Sequence, residues 1–134
     1  MEEIYLFVYG TLMKKFSENP FKNLLNQELN YVGEAYTYGE LFLVDYYPAL
    51  IHNLIGEKRK VWGEILKVNS PTIVFDILDE YEDFFPNFKD KSLYRRELQD
   101  CFLMESEIKV KCYVYLYNQP VNKSKKIPSG KFIE

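Results

Sequence analysis

Between Ile108 and Tyr117 the chain alternates strictly: Ile108, Val110, Cys112, Val114 and Leu116 on one parity, Lys109, Lys111, Tyr113, Tyr115 and Tyr117 on the other. A period of two is the mark of a strand with one face on a core and one turned outward, so the apolar set is expected inside and the tyrosine row half exposed. Leu93 to Met104 reads as the partner arm of a hairpin, joined through a turn at Glu105-Ser106-Glu107. Val61, Gly63 and Ile65 alternate with Trp62, Glu64 and Leu66 in another strand, where Gly63 marks a bulge or a close backbone approach.

Upstream, the chain from about residue 2 reads as a buried strand as far as Tyr9 that breaks at Gly10-Thr11-Leu12, and residues 29–45 as one bent strand or a close pair interrupted by Gly33 and Gly39. Tyr47 to Ile51 continues extended after a turn, and the polar residues 53–60 form a loop. Only two segments suggest helices. Asn19 would cap and Pro20 begin a short one packing through Phe21, Leu24 and Leu25. The stronger one runs over residues 70–85, with the Ser70 hydroxyl at its cap, Pro71 in its first turn and an apolar stripe of Val74, Ile77, Leu78 and Tyr81. A loop follows over residues 85–92, and a polar tail from Asn118. Strands outnumber helices and no repeat is visible, so the pattern predicts an α+β fold: a small mixed or antiparallel sheet curled toward a barrel, with a few flanking helices. Residues 1–134 are expected to form a single domain.

Composition narrows the function classes. A net charge of -3 from intermixed acids and bases lacks the basic surface on which nucleic-acid affinity rests. No run approaches the roughly 20 apolar residues of a membrane span, and the Met1 end is acidic and strand-like rather than basic and then apolar. Cys101 and Cys112 flank the hairpin turn and could face each other across it; without a cysteine framework they read as two small buried thiols in a cytoplasmic protein. One histidine and two cysteines at unrelated spacings give no zinc site. The sequence carries no signal of oligomeric state.

Candidate chemistry is sparse. The glycine ending the first strand frees the next backbone N–H groups, which can converge on a carboxylate or oxyanion; a plain turn glycine is the simpler explanation. Glu82, four residues after Leu78 and seven after Phe75, lies at the edge of the helical stripe, where partial burial would raise its pKa toward that of a general base. From spacing alone a solvated acidic helix face is the simpler explanation. Asp79, one turn earlier, would raise that pKa further or cap the loop. Arg95 and Arg96 begin a strand and point to opposite faces, Arg96 sharing the face of Tyr94, and either ordinarily pairs with a surface carboxylate. His52 has no nucleophile beside it, and Lys123, Lys125 and Lys126 read as a solvated tail.

The order of these features carries more than any one of them. Tyr9-Gly10-Thr11-Leu12, Tyr47-Pro48-Ala49-Leu50, Val61-Trp62-Gly63-Glu64, Leu78-Asp79-Glu80-Tyr81-Glu82, Tyr94-Arg95-Arg96, Val114-Tyr115 and the closing residues Ile127 to Phe132 together resemble the γ-glutamylcyclotransferase-like family, which includes AIG2-like and γ-glutamylamine cyclotransferase proteins. The likeness spans almost the whole chain. It implies a barrel-like mixed fold and an acyl transfer without cofactor, in which the α-amine of a small γ-glutamyl amine or peptide attacks its own γ-carbonyl and releases 5-oxoproline and a free amine. It also implies that Tyr9, Gly10, Thr11 and Leu12 hold the glutamyl end, that Glu82 is the catalytic glutamate, and that Pro48 and Tyr94 line the pocket. One departure stands beside Glu82: the family commonly has glycine next, and here it is Asp83. The leaving group carries no signature, so free amine, lysine side chain, amino acid and glutathione fragment are all compatible. Two other classes fit the residues, a carboxylate-binding protein of the same fold without turnover, and an interaction protein whose exposed tyrosines, Phe84, Phe85 and Phe88 meet a partner.

Overall fold

A computed structural model describes residues 3–10, 13, 27–52 and 59–132. The helix expected from Pro20 lies outside them. The described elements are β1 (Ile4–Val8), β2 (Leu29–Tyr38), β3 (Glu40–Val44), β4 (Tyr47–Ile51), β5 (Lys60–Val68), α1 (Pro71–Tyr81), β6 (Tyr94–Leu103) and β7 (Lys109–Tyr117), with 3-10 turns at Lys89–Lys91 and Lys123–Lys125. Five strands close a mixed barrel in the order β1-β5-β2-β6-β7, and β3 pairs with β4 in a separate two-stranded sheet. The residue 29–45 segment is thus a close pair split at Gly39 between two sheets. Closure comes from the parallel contact of β1 with β7 at Leu6 and Tyr113; every other pairing is antiparallel. Among the described residues no helix is long and apolar enough to cross a membrane.

Two apolar clusters share the barrel wall. Phe7, Val61, Ile65, Cys101, Cys112 and Val114 fill the interior, with Leu41 and Leu50 of the β3–β4 sheet. Leu6, Val8, Leu66 and Tyr115 face outward onto Val74, Phe75 and Leu78 of α1. Hence Leu6, Phe7 and Val8 are all buried, and a strand covered on both faces reads as a continuous apolar run rather than an alternation. The same cover corrects the expectation for β7: Tyr115 is only 4% exposed, because α1 lies over what the alternation suggested was a half-open face. Ile108 falls just before β7 beside the hairpin turn and is 59% exposed instead of core.

Local expectations mostly hold, with corrections at the ends. Pro71 opens α1, but Ser70 makes no side-chain cap bond. The buried stripe is Val74, Phe75 and Leu78, while Tyr81 is 42% exposed and α1 ends there, four residues short of the expected Phe85. Gly63 is a close approach: a Cβ there would lie 2.1 Å from the Val8 carbonyl oxygen, where β5 crosses the end of β1. Cys101 pairs in register with Val110, and Cys112 with Gln99, so the thiols are diagonal neighbours rather than opposite; both are buried and free. The tail is docked as well. Lys126 bonds Glu40 at 2.9 Å, Ile127 N–H bonds the Leu41 carbonyl, and Phe132 is buried in the barrel cluster.

Candidate active site

The C-terminal end of α1 sets the geometry of Glu82. Glu82 is the C-cap; Asp83 follows at φ 52°, with its N–H donating to the Glu80 carbonyl and the next N–H, of Phe84, to the Asp79 carbonyl. This double closure is a Schellman motif, in which the residue after the cap must enter the left-handed region. Glycine reaches that conformation without strain and aspartate at a modest one, so the departure from glycine at Asp83 has a direct backbone meaning. Phe84 then drives into the outer core, anchoring the turn and fixing where the Glu82 side chain points.

It points into a cavity of about 390 Å³ between α1, the end of β1, β4, β6 and β7, lined by Phe7, Val8, Tyr9, Gly10, Tyr47, Pro48, Tyr81, Glu82, Asp83, Leu93, Tyr94 and Tyr115. Two carboxylates and a set of aromatic rings line it, and no cation does among the described residues. Burial pushes the Glu82 carboxyl up to about 7, with the like charge of Asp83 adding to it. Among the described residues no side chain donates a hydrogen bond to it. Asp79 has another role than the expected ones. Its carboxylate accepts from Arg96 Nε and Nη2 at 3.0 and 3.2 Å and from the Tyr115 hydroxyl at 2.6 Å, and its contribution to the loop is the backbone bond from Phe84. Arg96 is therefore the half-buried, paired cation of the two, whereas Arg95 bonds Glu97 at 3.1 Å near the surface.

Three tyrosines complete the wall. The Tyr9 hydroxyl donates to the Tyr115 carbonyl at 2.6 Å and accepts from Leu50 N–H at 3.4 Å; the Tyr94 hydroxyl donates to the Pro48 carbonyl at 2.8 Å. These bonds tie β1 and β6 to the β3–β4 sheet. Burial raises the pKa of Tyr9, Tyr94 and Tyr115, with Glu82 contributing to each, so all three stay protonated donors. Gly10 packs so close to β4 that a Cβ would meet Pro48 Cγ at 2.9 Å, and its carbonyl accepts from Met13 N–H at 3.1 Å in a turn. Of the residues picked from sequence, Tyr9, Gly10, Pro48, Glu82 and Tyr94 meet at this cavity, and Thr11 and Leu12 lie outside the described residues. His52 is exposed, beside a separate depression with Thr37 and Gln99. Sequence reasoning met Tyr47 and Tyr115 only inside the family's motifs, without a site role, and missed the Asp79–Arg96 pair; nothing in local spacing signals these contacts, because β4, β6, β7 and α1 meet only in three dimensions. No group of three potential metal ligands occurs among the described residues.

Asp83 gives a first test. Asp83→Asn keeps a residue tolerant of the left-handed conformation and removes the like charge, so the Glu82 titration midpoint, followed by NMR, is expected to move below about 7. Asp83→Gly should do the same and also raise stability in thermal melts by about 1 kcal/mol through the relieved backbone.

The family model described as gamma-glutamyl cyclotransferase, AIG2-like, matches residues 6–134. No curated protein matches the chain. Among solved structures, an AIG2-like protein from Mus musculus is similar at 20% identity and a TM-score of 0.75, over 99% of this chain and 90% of that one. YkqA from Bacillus subtilis is similar at 23% identity and 0.68, over 98% of this chain but 40% of its own. PH0828 from Pyrococcus horikoshii gives 22% and 0.62, over 96% and 89%.

Proposed function

We propose, starting from the fact that the chain belongs to the AIG2-like γ-glutamyl cyclotransferase family, that it converts a small γ-glutamyl amine or peptide to 5-oxoproline and a free amine. The observation that carries this reading is Glu82: a half-buried carboxylate facing an aromatic-lined cavity, its carboxyl pushed up to about 7 by burial.

The chemistry asks for little else. Nucleophile and electrophile sit in one molecule, so positioning the folded glutamyl chain supplies much of the rate, several kcal/mol in well-oriented intramolecular reactions, of the order of 7–11 at the limit. The α-amine nitrogen bonds to the γ-carbonyl carbon and its proton passes to the Glu82 carboxylate. The tetrahedral intermediate then expels the linked nitrogen, which takes the proton from Glu82, so the base is restored and no water is consumed. A carboxyl titrating near neutrality suits both transfers. The backbone N–H groups following Gly10, with Thr11 and Leu12, are assigned the glutamyl carboxylate or the developing oxyanion, and Tyr9 ties the end of β1 to β7. Tyr94, whose hydroxyl donates to the Pro48 carbonyl, lines the same cavity with Pro48.

The test is release of 5-oxoproline from a panel of γ-glutamyl amines, amino acids and peptides, with no added cofactor. Release rising with pH through about 7 on its acid limb is the expected result, and the preferred substrate names the leaving amine. A folded protein that releases none from any panel member removes the cyclotransferase reading for those substrates; retained binding of one of them would leave a metabolite-binding protein.

A further inference from the structure

Of the tyrosine hydroxyls around Glu82, three donate elsewhere: Tyr9 to the Tyr115 carbonyl, Tyr94 to the Pro48 carbonyl and Tyr115 to Asp79. Two of these acceptors are backbone carbonyls. The third is a side chain, Asp79, which also accepts from Nε and Nη2 of Arg96. Asp79 and Glu82 are three residues apart at the end of α1, so they project from neighbouring positions on one face. The guanidinium is further clasped by Phe75, 4.1 Å from its ring centroid, and by Tyr113 at 5.0 Å.

From this arrangement we infer that Asp79 is a positioning residue: it holds the Tyr115 hydroxyl and the Arg96 guanidinium on itself and off Glu82, so that among the described residues the carboxylate has no side-chain donor and is open to the substrate's amine. The groups facing Glu82 from every packed element fit this. Tyr9 from β1, Tyr47 from β4, Tyr94 from β6 and Tyr115 from β7 all couple to it electrostatically, and Asp83 follows it. None of these brings a positive charge, and among the described residues Arg96 is the cation of this network, paired with Asp79 one helical turn away. The inference rests on reading Glu82 as the base, but its geometry does not depend on the identity of the substrate.

The experiment is an NMR titration of Glu82 in the full-length, carboxyl-labelled protein, with folding checked by circular dichroism. In Asp79→Asn the guanidinium loses its counter-charge, and the Glu82 midpoint is expected to fall, the direction an uncompensated cation imposes on a carboxyl. In Arg96→Met, which keeps the packing against Phe75, the released Asp79 carboxylate should move it upward. The double variant removes both charges together, a change buried pairs often tolerate, and should return the midpoint close to wild type. Loss of structural support alone would lower melting temperatures without shifting the midpoint in opposite directions. An unmoved midpoint in either folded single variant overturns the inference, and if one single variant does not fold the other decides. Because the readout is a titration, a wild type that releases no 5-oxoproline would remove the cyclotransferase reading while leaving this result to stand.

Discussion

Glu82→Gln is expected to lower 5-oxoproline release by roughly 10²–10⁴-fold, the usual contribution of a positioned base, with KM little changed because the amide keeps the shape of the side chain. It carries a second signature in stability. The Glu82 carboxyl stands at about 7 in the folded protein against 4.5 when free in solvent. A group raised on folding contributes stability that is complete below the unfolded value and lost as pH climbs through the folded one. Wild-type stability should therefore fall between pH 4.5 and 7, by roughly 3 kcal/mol if this group acted alone. Glutamine has no proton to lose, so the variant should be the more stable protein at pH 8 and lack that part of the slope. Denaturant unfolding at pH 5 and pH 8 measures both terms. A variant that is inactive and less stable at pH 8 would assign Glu82 to structure, since only a desolvated charge is relieved by neutralisation.

Gly63→Val should give the largest loss of stability, roughly 3 kcal/mol or more, within the range of overpacked sites. The added Cβ would stand 2.1 Å from the Val8 carbonyl oxygen and 2.8 Å from the Phe7 ring. The first contact is backbone held in the β1–β5 ladder at Val8 and Glu64, so it yields only by displacing β1. Tyr9 and Gly10 follow directly, and activity should fall beyond what the lost folded population explains. Gly33→Ala is the control. There the nearest atom is the end of the Leu103 side chain at 3.3 Å, which can move, so thermal unfolding should change by well under half as much.

How far the site could be read from sequence differs residue by residue. Glu82 was visible because seven and four residues separate it from Phe75 and Leu78, and the helix carries that spacing into space without help from any other element. Its environment was not visible. Asp79 seemed to be a like charge beside Glu82, yet Arg96, seventeen residues on and in a different element, takes that charge away. Tyr115 seemed half exposed because alternation in β7 reports one covered face; α1 covers the other. The end of α1 was placed too late because a helix C-terminus depends on which residue accepts the left-handed turn, and aspartate at position 83 gives no such signal where glycine would.

By itself, then, the sequence determined the strands, the principal helix, the hairpin, the barrel-like α+β class and, through the ordered motifs, the family, since these rest on periodicity, turn chemistry and local spacing. Only the tertiary structure decided which strands close the barrel, that both sides of its wall are buried, and where the three tyrosine hydroxyls donate. Those depend on contacts between residues far apart in the chain, such as Leu6 with Tyr113 and Tyr9 with Tyr115. The raised pKa of Glu82 belongs with them, because desolvation is a property of what surrounds a carboxylate and not of its place in the chain.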